Sequence, residues 1–322
     1  MIELKGLTKR FRVGSQTINA LDSLDLSIGA GEVFGFIGPN GAGKSTTMKI
    51  LAGLLAADEG TAIVAGCDTR HDGDQIRRNL GYMPDFLGVY DDLTVDEYLQ
   101  FFAAAFRIPR ARRRAVVDQV LELTDLSVKR NAMVDSLSRG MQQRLGIARV
   151  LIHDPKVLLL DEPASGLDPR ARIEMRSLIT ELGKMGKTIM VSSHILTELG
   201  EMCTSLGMIE RGKLLFAGSL EEAFARARAA GSGQERVTVV LEATGESPKN
   251  VIADVIKDHR VASATQDTQN PLTISIQLAP GEHGHHFLLA RLLANGARVH
   301  AFTPEVLKLE DAFLRLTTGA LQ

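Results

Sequence analysis

Short apolar runs alternate with amphipathic stretches along most of this chain. Alternating apolar positions in residues 2–5 and 18–28 predict two strands near the start. Three later runs are nearly continuous in apolar residues, as is typical of strands buried on both faces: residues 32–37, 157–160 and 188–191. Helical stretches, such as residues 169–182, lie between these runs. The pattern predicts an α/β fold built on a mainly parallel sheet.

Polar residues follow each of the three buried runs. A glycine-rich segment follows Ile37, Asp161 and Glu162 follow the second run, and His194 follows the third. In parallel sheets ligands bind beyond the carboxyl ends of the strands. We therefore expect these groups to share one site.

The chain is expected to contain two domains. Residues 1–222 form the larger one, and its part from 93 to 150 is mostly helical in pattern. Residues 223–235 contain a flexible linker, and residues 236–322 predict a small βαββαβ-like domain. A last amphipathic helix is expected at 305–316.

Composition excludes several function classes. The formal net charge of -2 gives no electrostatic case for a nucleic-acid partner. No apolar stretch approaches the ~20 residues of a membrane-spanning helix, and the start lacks the pattern of a secretory signal. Two widely spaced cysteines fit free thiols in a reducing compartment. We expect a cytoplasmic protein that is at most peripheral to the membrane.

The glycine-rich segment fits the pattern G-x-x-x-x-G-K-[ST] between a strand and a helix. Its residues are Gly38, Pro39, Asn40, Gly41, Ala42, Gly43, Lys44, Ser45 and Thr46. Glycines let backbone N–H groups converge on phosphates, and the helix N-terminus adds partial positive charge. Lys44 supplies a full charge to the terminal phosphates, and the Ser45 hydroxyl suits Mg²⁺. The segment predicts a nucleoside triphosphate as ligand.

Two adjacent acids end the second buried run. Asp161 is placed to hold Mg²⁺, and Glu162 to polarise the water that attacks the γ-phosphate. Adjacent acids also cap helices, but their place after a buried strand, in a chain with a phosphate loop, favours catalysis.

A second candidate anion site begins at Ser138, Arg139 and Gly140, ahead of Gln142-Gln143-Arg144. Such a helix start is by itself an ordinary cap. Because the chain already has a phosphate loop, a second phosphate site makes sense if it faces the nucleotide of a partner subunit.

These motifs, in this order, resemble those of ATP-binding-cassette (ABC) transporter ATP-binding subunits over roughly residues 1–222. The resemblance implies that Phe11 stacks on adenine, that residues 165–168 cross a dimer interface, and that His194 contacts the γ-phosphate. It implies a P-loop cassette with an antiparallel β subdomain and a helical subdomain, here followed by a small α+β domain. The family usually has glutamine where this chain has Asp85, a charged and shorter candidate Mg²⁺ ligand.

The resemblance implies a function as well. Two ATPase subunits would close head to tail around two ATP molecules and drive a separate membrane permease. The C-terminal unit is similar to that of exporters of drugs, polysaccharides or lipids. Two alternatives stay open: a non-transport ABC ATPase, and a regulatory clamp with little turnover.

Overall fold

The structure is a computed structural model that describes residues 1–86, 88, 92–230, 236–279 and 284–304, with only the backbone described at 13 and 227–230. The chain divides into two compact units, Met1–Ala223 and Phe224–Gln322. The helix expected at 305–316 lies outside the described residues. Within the described part, no helix has both the length and the apolar character that crossing a bilayer requires.

The strands that begin in the first unit are β1 (Ile2–Val13), β2 (Gln16–Ile28), β3 (Val33–Ile37), β4 (Glu59–Val64), β5 (Cys67–Asp68), β6 (Leu80–Met83), β7 (Val157–Asp161), β8 (Thr188–Ser193), β9 (Ser205–Glu210) and β10 (Lys213–Ser219). The helices are α1 (Lys44–Leu51), α2 (Gly73–Asn79), α3 (Val95–Ala105), α4 (Arg110–Leu123), α5 (Arg139–Leu151), α6 (Pro169–Lys184), α7 (Leu196–Gly200) and α8 (Leu220–Ala230).

The main sheet has the order β10-β9-β3-β8-β7-β6, and its neighbours are parallel except for β10 on β9. Every residue of β3, β7 and β8 is buried. Strands covered on both faces are mostly apolar, which explains the nearly continuous apolar runs in the sequence. The predicted mainly parallel α/β sheet is confirmed.

A second, antiparallel sheet has the order β2-β1-β4-β5. Its inner face shares one core with α1 and the main sheet, including Leu4, Leu24, Phe34, Met48 and Leu159. The first strand is longer than the four residues that its alternation predicts. Register shifts between positions 4 and 10 interrupt the period-two pattern, so β1 continues to Val13 without a clean alternation.

Helices α3, α4 and α5 form the predicted helical part. Thr94 and Glu97 form a reciprocal capping box at the start of α3. Arg130 then pairs with Asp96 at 2.7 Å, which ties the loop after α4 to the first turn of α3.

The second unit contains β11 (Arg236–Leu241), α9 (Pro248–Val255), β12 (Val261–Gln266), β13 (Thr273–Leu278), α10 (His286–Ala294) and β14 (Val299–Pro304). The strands form an antiparallel sheet of order β12-β13-β11-β14 over a core of its own. Arg291 of α10 holds Asp254 of α9 at 2.8 Å and Asp258 at 3.3 Å, so the two helices are joined by ion pairs as well as apolar packing.

We predict that Gly38→Ala destabilises the first unit. A Cβ on Gly38 would lie 2.2 Å from the Ile209 carbonyl oxygen, so the backbone between β3 and β9 would have to move. We expect a loss of about 1–3 kcal/mol in unfolding free energy. Thermal unfolding of the nucleotide-free protein measures it, with Gly88→Ala as control because no atom of the described residues lies within 4 Å of its added Cβ. Equal melting temperatures for the two variants would contradict the prediction.

Candidate active site

A cleft of about 290 Å³ lies at the carboxyl ends of the parallel strands. It is lined by residues 40–46 of the glycine-rich loop together with Ala20, Asp85, Glu162, Ser165 and His194. The sheet order explains this convergence, because β3 and β7 both pair with β8, so the segments that leave the three strands are neighbours. The structure therefore brings segments that follow the three strands together in one cleft.

Glycines are required at two points of the loop. Gly41 and Gly43 have φ of 80° and 111°, in the region that favours glycine. A Cβ on Gly43 would also lie 2.7 Å from the Ala20 carbonyl oxygen. Gly43 is the N-cap of α1, so the loop runs directly into the positive end of a helix dipole. This arrangement suits an anion.

Lys44 is 6% exposed and its ammonium is held by the loop itself. It donates to the carbonyls of Gly38 at 2.6 Å and Pro39 at 3.3 Å. The same Nζ lies 3.5 Å from Oε1 of Glu162. The positive charge is thus fixed inside the loop and next to a carboxylate.

The acids that follow β7 are held by a residue of the neighbouring strand. Asp161 is 2% exposed and accepts a hydrogen bond of 2.6 Å from the Ser192 hydroxyl. The Ser192 oxygen accepts in turn from the Glu162 amide at 3.0 Å. Glu162 has φ of 50°, so the chain turns sharply where β7 ends. One hydroxyl therefore fixes both acids, a role that the sequence motif at 192–194 did not reveal.

The other carboxylate oxygen of Glu162 contacts His194. Glu162 Oε2 lies 2.8 Å from Nδ1 of His194. Glu162 therefore stands between Lys44 on one side and His194 on the other. Of the three groups that the sequence assigns to catalysis, Glu162 therefore contacts each of the other two.

Asp85 brings a further negative charge to the cleft. Partial desolvation raises the pKa of Asp85, and the charges of Asp161 and Glu162 raise it further. Arg139 and His194 act in the opposite direction. The charges of Asp161 and Glu162 therefore act on the carboxyl group of Asp85.

Tyr82 lies in β6 behind this acidic cluster. Its hydroxyl is buried and has no hydrogen-bond partner within the described part of the chain. Burial raises its pKa, and the charges of Asp161 and Asp85 add to the effect. The phenol therefore remains neutral.

The donor set suits Mg²⁺. Ser45, Asp161 and Asp85 offer only oxygen atoms, which this ion prefers. In the described ranges, no group of three or more His, Cys, Asp or Glu side chains could enclose a metal alone. Mg²⁺ commonly binds one or two carboxylates and completes its shell with water and substrate phosphate, so a site of this size fits the ion when a nucleotide is bound.

The second candidate anion site does not line the cleft, although the charge of Arg139 acts on Asp85 there. Ser138 caps α5 by accepting a hydrogen bond of 3.4 Å from the Met141 amide, and residues 138–140 are not among those that line the cleft. The guanidinium of Arg139 lies against Gly166, whose φ is 67°. A Cβ there would be 2.5 Å from Cζ of Arg139. The start of α5 thus packs on the loop that precedes α6.

Phe11 lies in β1 and is 39% exposed. It pairs across the antiparallel sheet with Ile18, and the Lys9 ammonium lies 5.6 Å from the ring centroid. Phe11 is also outside the set of residues that line the cleft. Its exposed ring is available for stacking on a flat group.

Comparison with known proteins places these features in a family. The family model described as "ABC transporter" matches residues 21–165. The chain is 34% identical over 321 residues to the Nod factor export ATP-binding protein I of Burkholderia orbicola, covering 100% of this chain and 98% of the relative. The chain belongs to the ABC transporter ATP-binding family.

Other matches cover about two thirds of the chain. It is 37% identical over 222 residues to the probable multidrug ABC transporter ATP-binding protein YbhF of Escherichia coli, covering 69% of this chain and 38% of YbhF. It spans under two thirds of the length of several curated relatives. The ATP-binding cassette MJ0796, solved as a dimer bound to ADP and Pi, matches with a TM-score of 0.63 and 27% identity, covering 68% of this chain and 99% of MJ0796. These matches confirm the predicted cassette fold and family.

We predict that Asp85→Asn stabilises the nucleotide-free ABC chain at neutral pH. A carboxyl whose pKa is raised by folding stabilises the fold below its unfolded pKa, and this contribution is lost as the pH rises through the folded pKa. The ionised Asp85 is therefore unfavourable at about pH 7.5, and removing its charge should raise the melting temperature. Because Asp85 is exposed overall, solvent screening limits the rise to about 1–3 °C.

Thermal unfolding without Mg²⁺ measures this effect. Asp85→Glu, which retains the charge, is the control and should melt close to the wild type. The advantage of Asp85→Asn should shrink as the pH falls toward the raised pKa. A lower melting temperature for Asp85→Asn at neutral pH would contradict the prediction.

Proposed function

We propose that this chain binds Mg²⁺-ATP, hydrolyses it, and uses the energy to drive export through a separate membrane permease. The observation that carries the proposal is the contact of Glu162 with both Lys44 and His194 at the mouth of the glycine-rich loop. A phosphate cradle, a carboxylate and a histidine in one cleft are the parts that phosphoryl transfer to water needs.

Each group has a defined task in the proposed reaction. The loop amides and Lys44 bind the β- and γ-phosphates, and Glu162 orients and polarises the attacking water. His194 contacts the γ-phosphate. Ser45, Asp161 and Asp85 would hold Mg²⁺, which supplies charge neutralisation to the phosphates. Phe11 stacks on the adenine.

Binding of ATP must rearrange the contacts around Glu162. Lys44 lies closer to the carbonyls of Gly38 and Pro39 than to Glu162. Terminal phosphates would compete for this ammonium because they carry more charge than carbonyl oxygens. Drawing Lys44 onto phosphate would leave Glu162 free to accept a hydrogen bond from water.

The start of α5, the second candidate anion site, suggests a second ATPase subunit as partner. Residues Ser138, Arg139 and Gly140 would face the ATP of a second ATPase subunit, and MJ0796 is described as a dimer. The relatives are named as multidrug and Nod factor export proteins, which supports an exporter with a permease on another chain. The chain would then work at the cytoplasmic face of the membrane.

A regulatory clamp with little turnover is the second candidate, and Asp85 is the observation that favours it. A third carboxylate beside Asp161 and Glu162 adds repulsion against the phosphates that an ATPase must bind and release. The two candidates differ in turnover, not in nucleotide binding.

We predict that Glu162→Gln reduces kcat for ATP at least about 100-fold, the scale of a lost general base, with little change in KM. Glutamine keeps the shape of the side chain but cannot polarise water as a carboxylate does. We also expect the variant to accumulate as an ATP-bound dimer. Light scattering, which reports molar mass, measures this dimer. Glu181→Gln is the control, because Glu181 pairs with Lys184 on an exposed part of α6.

The outcomes separate the candidates. Wild-type turnover with a trapped Glu162→Gln dimer supports the ATPase. Tight ATP binding by the wild type without turnover, also after reconstitution with its permease, would support the clamp. Wild-type rates for Glu162→Gln would contradict the proposed role of the carboxylate.

A further inference from the structure

We propose that Arg172 and Glu198 are positioning residues that tie the loop at 165–168 to the backbone on both sides of His194. Both lie outside the motifs that define the site. The proposal rests on the proposed hydrolysis, because it assigns these residues an effect on the step in which His194 takes part.

Arg172 forms the first half of the connection. It lies in the first turn of α6, and its Nη2 donates to the carbonyl of Leu167 at 3.2 Å. Its Nε lies 2.9 Å from Oε1 of Glu198 on α7, an ion pair in which the two atoms do not have hydrogen-bond geometry. One guanidinium therefore joins the loop that leads into α6 to a helix that follows β8.

Glu198 forms the second half. It is 8% exposed, and its Oε2 accepts a hydrogen bond of 3.3 Å from the Ser193 hydroxyl. The same Ser193 oxygen accepts from the Ile195 amide at 3.0 Å. Ser193 and Ile195 are the two neighbours of His194, so the connection fixes the backbone on which the imidazole is carried.

Burying a charged carboxylate between two helices costs desolvation free energy. Burial raises the pKa of Glu198, and Arg172 and Ser193 favour the ionised form against that cost. A simpler ion pair between the same two regions already exists, where Arg176 of α6 meets Glu201 at the end of α7. The Arg172–Glu198 ion pair differs in its hydrogen bonds, because Arg172 donates to the 165–168 loop and Glu198 accepts from the serine beside His194.

The connection gives the loop a direct influence on the cleft. Ser165 lines the cleft, and Leu167 receives the bond from Arg172. In the proposed dimer this loop would lie at the interface. A shift of Leu167 on subunit contact would move Arg172, then Glu198, and through Ser193 the position of His194 relative to Glu162.

The test compares Arg172→Ala, Arg172→Lys and Glu198→Gln in the full chain. Arg172→Ala should lower kcat about tenfold and change KM for ATP less than about twofold, because the phosphate loop is untouched. Arg172→Lys retains a charge for Glu198 but cannot also hold Leu167, so its kcat should fall between those of wild type and Arg172→Ala. Glu198→Gln retains a partner for Ser193 and should resemble Arg172→Lys.

Arg176→Ala is the matched control, since it removes an ion pair between the same helical regions without touching Leu167 or Ser193. It should have nearly wild-type kcat. The double variant Arg172→Ala/Glu198→Gln should be no slower than Arg172→Ala alone, because both changes interrupt one connection.

A readout without turnover separates this proposal from the proposed function. The ring signal of His194 in a histidine-labelled NMR spectrum, assigned with His194→Gln, should shift in Arg172→Ala and Glu198→Gln but not in Arg176→Ala. If neither the wild type nor any variant hydrolyses ATP, the proposed ATPase function is contradicted. The shift of the His194 signal would still test the Arg172–Glu198 connection. An unmoved His194 signal, or equal kcat losses in Arg172→Ala and Arg176→Ala, would overturn the proposal.

Discussion

The parallel pairing of β8 with β3 on one side and β7 on the other is the constraint on which the site depends. In this register Ile37 lies opposite Ser193, and Asp161 lies opposite Ser192. The phosphate loop, the acidic pair and His194 therefore begin at the same level of the sheet. Each of these groups sits on a loop, but the loops start from buried strands whose apolar packing fixes their ends.

This placement concentrates negative charge. Asp85, Asp161 and Glu162 face the same region as the phosphates of the proposed ligand, and Lys44 is a buried cation among them. These carboxylates would repel the phosphates of a bound nucleotide, and a cation that arrives with the nucleotide would offset that repulsion. The hydroxyl of Ser192 limits the motion of two of the acids and so prepares the geometry before any ligand binds.

The sequence predicted the individual motifs of the candidate site better than the contacts between segments that hold them in place. The motif from Gly38 to Thr46, the acids at 161 and 162 and His194 were found because each is a local pattern next to a buried run. The full length of β1 was not predicted, since register shifts break the alternation on which strand prediction depends. The short strand β5 and the contact of Arg172 with Glu198 were also missed. Both depend on pairing between segments that no local pattern relates.

The loop at 165–168 is held from two sides by arginines of different helices. Arg139, at the start of α5, lies against Gly166, and Arg172, in the first turn of α6, donates to the Leu167 carbonyl. The left-handed conformation and missing side chain of Gly166 let the Arg139 guanidinium approach this closely. Arg139 belongs to the proposed site for a second subunit's ATP, and Arg172 connects to the flanks of His194. In the proposed dimer, a nucleotide held by a partner would therefore act on Arg139 first, and the same short loop would carry that change toward His194.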